Sequence, residues 1–119
     1  MEKIIVDEKL KLFTDYWNPR IVAGLNGQLV KLAKLKGEFV WHKHDVEDEM
    51  FYVLNGKLKI EFRDRTVELN SNEFIVIPRG VEHKPVADEE VAVMLFEPAT
   101  TLNTGDSIGD LTRDTLETI

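Results

Sequence analysis

The sequence predicts an all-β protein with a short helix near its N-terminus. Short apolar runs alternate with turn-forming residues along most of the chain, and about eight strands of this kind indicate a β-sandwich or a small barrel. Residues 57–63 alternate polar and apolar side chains, so Leu58, Ile60 and Phe62 face a core while the charges face water. Residues 91–96 are apolar on both faces, which is typical of a strand at the centre of a sheet or at an interface.

The first part of the chain predicts a strand followed by a helix. Residues 3–6 favour a short strand, and Asp7 is a suitable helix cap. Residues 8–17 have the spacing of a short amphipathic helix, which ends before Pro19 because proline disfavours helix in the residue preceding it. We expect this segment to pack on the outside of the core or on a second subunit.

Turn signals such as Asn26-Gly27 and Asn55-Gly56 divide the remainder into strands. The lysine spacing in residues 28–36 is also compatible with a short helix, but the neighbouring turns favour a strand with an irregularity. The acidic run at residues 88–90 is predicted to form a turn. The expected strands are 28–36, 38–44, 49–54, 57–63, 66–69, 74–77, 82–86 and 91–96.

Length and composition limit the functions that the chain can have. A chain of 119 residues forms one domain, divided here into an N-terminal extension (1–27), a strand-rich barrel (28–97) and a loosely ordered C-terminal tail or arm (98–119). The net charge of −7 argues against nucleic acid or an anionic membrane as a partner. The absence of cysteine excludes disulfides and thiolate chemistry. No segment resembles a signal peptide or a membrane span, so we expect a cytoplasmic protein.

Three histidines and one glutamate have the spacing of a metal site. Side chains on a strand alternate faces, so His42 and His44 point to one side and Lys43 to the other. Glu49 follows a short acidic turn and can fold back towards both imidazoles. A single histidine near a strand is more often structural than ligating, but two neutral nitrogens and a carboxylate converging on one point favour a transition metal. His83 follows a Pro-x-Gly turn that can return it to the pair.

In these features the chain resembles the cupin superfamily over roughly residues 28–97. The residues that match the first cupin motif, with one residue fewer after the glycine, are Gly37, His42, His44, Glu49 and Gly56. Those that match the second motif are Pro78, Gly80 and His83. Asn72 replaces a motif glycine and Ala87 replaces a motif asparagine. Both departures fall on structural positions and leave the four ligand positions intact.

The resemblance implies a double-stranded β-helix, or jelly-roll barrel, that holds one divalent metal ion. Carried over to this chain, the ligands are His42, His44, Glu49 and His83. This nitrogen and oxygen set suits Fe, Mn, Ni, Co, Cu or Zn and leaves the identity of the metal open. Metal affinity should fall as the pH drops through about 6, because binding requires neutral imidazoles. The resemblance also implies a homodimer.

The leading functional interpretation is a metal-dependent enzyme of isomerase or dioxygenase type that acts on a small oxygen-bearing metabolite. No histidine remains outside the ligand set, so a general base would have to be Glu, Asp, Tyr or metal-bound hydroxide, and the catalytic residue stays open. The alternatives are a non-catalytic small-molecule-binding or sensory module and a structural dimer with a vestigial site. Arg79 and Lys84 are expected near the mouth, where they can meet a carboxylate or phosphate or can be plain surface charges. Val40 shares the strand face of His42 and His44, and Phe51 and Val53 share that of Glu49, so we expect all three in the pocket wall. Residues in such a wall are more often plain core than substrate contacts.

Overall fold

An antiparallel sheet of seven strands follows a short helix. The computed structural model describes residues 1–119. The elements are α1 (Val6–Leu10), β1 (Arg20–Leu25), β2 (Gln28–Glu38), β3 (Glu49–Asn55), β4 (Leu58–Phe62), β5 (Thr66–Leu69), β6 (Phe74–Ile77) and β7 (His83–Pro98). The prediction of an all-β fold with a short N-terminal helix is confirmed. None of the helices has the length and apolar character needed to cross a membrane.

The longest strand, β7, connects the two parts of the sheet. On one side it pairs with β2 from Gln28↔Pro98 to Glu38↔Val86. On its other side its first residues pair with β4 and its last residues pair with β3. The strand order β1-β2-β7-β3-β6 is thus joined to the hairpin of β4 and β5 through β7 alone. Side chains on the inner face of β7 therefore belong to one core that both parts of the sheet enclose.

The acidic run at residues 88–90 is a bulge within β7, so the prediction of a turn was wrong. Leu35 pairs with Val91 and Gly37 pairs with Ala87, which leaves three β7 residues opposite one residue of β2. A bulge of this kind accommodates extra residues without ending the strand. The charges lie exposed at the bulge, and buried residues resume on both sides. The same register shift confirms the expectation that residues 28–36 form an irregular strand and not a helix.

Four further predictions were wrong: the strands at residues 3–6 and 38–44, the helix at residues 8–17 and its cap at Asp7. Residues 3–6 form no strand, and β2 ends at Glu38, so residues 39–44 are an extended loop with a single bridge at His42. The helix is shorter than residues 8–17, and Ile5 rather than Asp7 is its N-cap residue. Trp17 instead lies beyond the end of the helix. Its backbone N–H donates to Lys34 O and its indole N–H donates to Lys36 O, which ties this residue to β2.

The apolar residues form two clusters on opposite faces of the sheet. The main cluster of 13 buried residues fills the interior and includes Val53, Leu58, Ile60, Val91 and Val93. A smaller cluster on the outer face consists of Phe13, Val22 and Leu32, against which Val6 and Leu10 pack. The N-terminal segment therefore covers part of its own sheet. Phe13 and Trp17 belong to different clusters, which a single helix face would not allow.

Residues 98–119 are irregular but are held against the body of the protein. Thr101 and Thr104 are buried. Thr118 forms a parallel bridge with Ile21, and the Ile21 N–H donates to Glu117 O at 2.9 Å. The segment packs on its own chain, in contrast to the expectation of a loose tail or an arm on a partner. The division into residues 1–27, 28–97 and 98–119 stays a prediction.

Replacing Phe13 by alanine should destabilise the protein because the phenyl ring is buried in the outer cluster. We expect a loss of about 3 kcal/mol in the free energy of unfolding, as for other buried aromatic truncations. Urea denaturation followed by circular dichroism measures this loss. Leu12→Ala is the matched control, since Leu12 is 64% exposed and should change stability by less than about 0.5 kcal/mol. Equal effects of the two substitutions would contradict the packing described here.

Candidate metal centre

Four buried side chains converge where the loop after β2 meets the first residues of β3 and β7. They are His42, His44, Glu49 and His83, and their ligand atoms lie within 4.8 Å of one another. His42 N–H donates to His83 O at 3.1 Å, and His83 N–H donates to His42 O at 2.9 Å. The structure therefore brings together all four residues that the sequence analysis singled out. The backbone bridge between two of them fixes their separation.

Two of the imidazoles are held in an orientation that presents Nε2 to the centre. His42 Nδ1 lies 2.9 Å from Val40 O, and His83 Nδ1 lies 2.9 Å from Val81 O. A carbonyl oxygen can only accept, so each Nδ1 carries the proton and each Nε2 keeps a lone pair. Histidines that bind metals usually donate their other N–H in this way. The backbone thus selects the tautomer that metal binding requires.

The polar atoms that face one another at the centre lack hydrogen-bond partners. Both ring nitrogens of His44, Nε2 of His83 and Oε1 of Glu49 are buried and unpartnered. His44 Nε2 and His83 Nε2 lie 3.3 and 3.4 Å from Glu49 Oε1. Ligand distances of about 2.0–2.2 Å would place donor atoms about 3–4.4 Å apart around one ion. The spacing and chemistry of the four groups therefore fit a divalent cation.

The local electrostatics favour a cation at this point. Burial lowers the pKa of His42 to about 4, and the neighbouring His83 adds to the effect, so the His42 ring is neutral at pH 7. Burial also lowers the pKa of His44, but the adjacent Glu49 carboxylate outweighs it, and the pKa is raised overall. Burial raises the pKa of Glu49, but its contacts with Glu97 and the two imidazoles prevail and hold it well below its usual range.

A narrow cavity lies beside the four residues and is lined by His42 and Glu49 on its polar side. Its volume is about 30 Å³. A space of this size admits a few waters or a very small ligand. The apolar part of its wall is formed by Trp17, Leu35, Phe39, Phe51, Val93 and Leu95.

The structure divides the expected lining residues into two groups. Phe51 and Val53 both belong to the main core, but of the two Phe51 lines the cavity. Val40 lies outside the cavity, next to the C-terminal segment. Trp41 is directed away from the four residues, and the Arg63 guanidinium lies 3.8 Å from the centre of its ring. The alternation of side chains thus holds for Trp41 but fails for Val40, because the backbone there is no longer a strand.

Arg79 and Lys84 are surface charges with partners of their own. Arg79 donates to Asp48 from its side chain and from its backbone N–H. Lys84 Nζ lies 2.8 Å from Glu38 Oε1 and 3.5 Å from Glu61 Oε1. Neither residue lines the cavity. The structure therefore favours the interpretation of both as surface charges over an anion-binding role.

A buried ion pair that the sequence analysis missed lies at the wall of the cavity. Lys31 Nζ is 2.7 Å from Glu97 Oε1, and both side chains are almost fully buried. Glu97 lines the cavity together with Glu49. Burial and the adjacent Glu49 charge raise the pKa of Glu97 well above its usual range, and Lys31 opposes this effect. The alternation of β7 could have identified Glu97, because it shares the inner face with the buried Leu95.

The C-terminal segment holds the loop that carries two of the four residues. Lys43 lies between His42 and His44, and its N–H donates to Asp106 Oδ1 at 2.9 Å. Asp106 N–H donates back to Lys43 O at 3.1 Å. The hydrogen bond from the Lys43 backbone lowers the pKa of the Asp106 carboxyl. Gly105 has φ 53°, and a Cβ atom there would overlap the Lys43 carbonyl group.

Replacing Gly105 by alanine should therefore displace the C-terminal segment from the histidine loop. We expect a loss of about 2–4 kcal/mol in the free energy of unfolding, from the overlap and from the left-handed backbone. Gly109→Ala is the matched control, because a methyl group at Gly109 would meet no heavy atom within 4 Å and the backbone there has no positive φ. Denaturant titration of both variants measures the difference. A G105A protein as stable as G109A would contradict the close approach.

Comparison with proteins of known structure places the chain in a family. A cupin-2 domain containing protein from Shewanella frigidimarina is 48% identical, with a TM-score of 0.79, and the match covers 80% of this chain and 93% of that chain. Protein NMB1881 from Neisseria meningitidis is 27% identical, with a TM-score of 0.76, and the match covers 82% of this chain and 100% of that chain.

A sequence relative and a family model agree with these structures. The uncharacterized protein YdbB of Bacillus subtilis is 41% identical over 64 residues, which are 53% of this chain and 57% of YdbB. The match therefore spans little more than half the length of that relative. The family model for the cupin domain matches residues 28–98. The chain belongs to the cupin family.

Proposed function

We propose that the protein binds one divalent transition metal ion through His42, His44, Glu49 and His83. The observation that carries the proposal is the convergence of four buried donor groups within 4.8 Å, with unpartnered atoms directed at a common centre. Unpartnered buried polar atoms are costly, and a bound cation would satisfy one such atom on each of His44, Glu49 and His83. The donor set is compatible with Fe, Mn, Ni, Co, Cu or Zn.

We propose further that the ion and the cavity together hold a small oxygen-bearing metabolite. When bound, an ion with four protein ligands supplies open coordination positions and Lewis-acid or O2-activating chemistry. The protein contributes the fixed tautomers of His42 and His83 and the negative charge of Glu49. The apolar wall excludes bulk water and limits the ligand to a small molecule. Isomerase and dioxygenase reactions both fit these features.

A non-catalytic small-molecule-binding or sensory module is the second candidate. It is favoured by the small volume of the cavity and by the absence of a histidine outside the ligand set. Incubation of the metal-loaded protein with sugars, keto acids and hydroxy acids separates the two candidates. A compound that raises the melting temperature and is recovered unchanged supports binding, whereas conversion of the compound supports catalysis.

The wild-type protein should bind one equivalent of a divalent metal, and the ion should raise its melting temperature. His44→Gln should weaken binding by at least about 100-fold, more than the loss typical of residues that only support a ligand. Lys43→Ala is the matched control, because its side chain is 40% exposed and lies between the two histidines. Metal content by elemental analysis and affinity by calorimetry provide the measurements.

The result that would reject the metal proposal is equally direct. Wild-type protein that holds less than about a tenth of an equivalent after reloading with each candidate metal has no structural metal site of this kind. An H44Q variant with the affinity of K43A would show that the ion binds elsewhere. Circular dichroism of each variant establishes that a loss of binding is not a loss of fold.

We also propose that the protein is a homodimer formed through the outer face of the sheet. The N-terminal segment covers one end of this face and leaves an apolar patch at the other. The outer patch consists of Met50, Tyr52, Phe74, Val76 and Phe96. Phe74 and Val76 lie on β6, which has only one neighbouring strand, and are 57% and 52% exposed.

A second copy is the partner that this patch suits best. The patch contains no charged residue, so two copies of an acidic chain can meet there without opposing like charges. Exposed apolar patches of this kind mark interaction sites, and two-fold contacts between identical patches are the commonest solution. The net charge of −7 supports small molecules, and not nucleic acid or membranes, as the other partners. A cytoplasmic location stays a prediction.

Replacing Phe74 by glutamate should convert the protein from a dimer to a monomer. Burying the new carboxylate in the interface would be unfavourable, whereas in the monomer it would face water. Light scattering coupled to gel filtration at micromolar concentration gives the mass. Leu12→Glu is the control, since Leu12 is exposed and lies outside the outer patch. A wild-type monomer, or an F74E dimer, would contradict the proposal.

A further inference from the structure

We propose that Glu97 contacts the ligand of the cavity, and that its free carboxyl oxygen accepts a hydrogen bond from a hydroxyl group of that ligand. The inference rests on the proposed function and deepens it, because it names the class of molecule that the cavity selects. That class is a small hydroxy acid or hydroxy carbonyl compound. One oxygen of such a molecule would meet the ion, and a hydroxyl group would meet Glu97.

The ion pair between Lys31 and Glu97 is not explained by stability. Its Nζ–Oε1 distance is 2.7 Å, and each side chain is at most 2% exposed. Desolvation of two charges offsets most of their attraction, and apolar residues of similar size are often as stable or more stable. Leu95, two residues earlier on the same face of β7, shows that an apolar side chain suits this environment. A functional contact accounts for a carboxylate at this position.

Glu97 also has one carboxyl oxygen that forms no hydrogen bond within the protein. Its Oε2 atom is buried and has no partner. The indole N–H of Trp17 already donates to Lys36 O. Asn103 donates to Leu111 O and accepts from the backbone N–H of Arg113. Among the lining side chains outside the four proposed ligands, Glu97 is therefore the one with a buried polar atom that has no partner.

The position of Glu97 suits contact with a ligand and not with the ion. Its carboxyl is not a member of the group whose donor atoms lie within 4.8 Å of one another. It lies within hydrogen-bonding range of the Glu49 carboxyl, so it is adjacent to that side of the centre. Lys31 holds Oε1 in place, Oε2 has no partner, and the residue lines the cavity. A hydroxyl group next to a metal-bound oxygen would lie within its reach.

The test compares two probe molecules, glycolate and acetate, on the Co(II)-loaded protein. They differ by one hydroxyl group, and changes in the visible Co(II) spectrum report the binding of each. In wild-type protein glycolate should bind more tightly than acetate. Glu97→Gln should reduce the ratio of the two affinities by about tenfold, the size expected for one hydrogen bond. The comparison is made at saturating Co(II), because Glu97 adjoins the Glu49 carboxyl and its replacement is expected to weaken Co(II) binding by about 10–100-fold.

Two further variants make the result decisive. The double variant Lys31→Met/Glu97→Met replaces the ion pair by apolar side chains, which preserves the fold where a lone unpaired charge would not. It should show the same loss of glycolate selectivity as E97Q. Glu68→Gln removes one carboxylate of an exposed lysine–glutamate pair and should retain the wild-type ratio.

The outcomes separate this inference from the proposed function. Unchanged selectivity in E97Q and in the double variant, with Co(II) bound, overturns the role of Glu97 and leaves the metal site in place. Equal falls in the affinities for glycolate and acetate at saturating Co(II) show that Glu97 acts through Glu49, and they also overturn the inference. Failure of the wild-type protein to bind Co(II) or any other divalent metal overturns both proposals.

Discussion

The burial of unpartnered polar atoms at one point is the constraint on which the rest of the structure depends. Both nitrogens of His44, Nε2 of His83 and Oε1 of Glu49 are removed from water without a hydrogen bond. A buried polar atom that stays unpaired costs about 1–3 kcal/mol, which is a large fraction of the stability of a small domain, about 5–15 kcal/mol. The fold carries this cost only where the groups are held rigidly, which is the condition for binding an ion.

Three separate parts of the chain supply that rigidity. The strand β7 begins at His83, and its bridge with His42 joins the histidine loop to the sheet. The carbonyl groups of Val40 and Val81 orient the two rings. The bulge at residues 88–90 lets β7 continue past this point to Glu97, so one strand contributes to the candidate metal centre at one end and to the cavity wall at the other.

The sequence predicted those parts of the molecule whose signal is local. The period of two identified the strand at residues 57–63, and the spacing of His42, His44 and Glu49 identified the centre. The errors arose where distant contacts decide the conformation. Trp17 lies outside the helix and is hydrogen-bonded to β2, and residues 88–90 bulge where the register between β2 and β7 shifts. The ion pair of Lys31 and Glu97 joins residues 66 positions apart, so neither residue alone signals it.

The contact between Asp106 and Lys43 has a consequence for the order of events during synthesis. The ribosome makes all four donor residues before it makes residues 101–119, and the Lys43 backbone gains its two hydrogen bonds with Asp106 only when this later segment docks. A nascent chain thus contains the three imidazoles and the carboxylate while the loop between β2 and β3 still lacks these two hydrogen bonds. Binding of the proposed metal ion would then coincide with the completion of folding, after the strands have assembled.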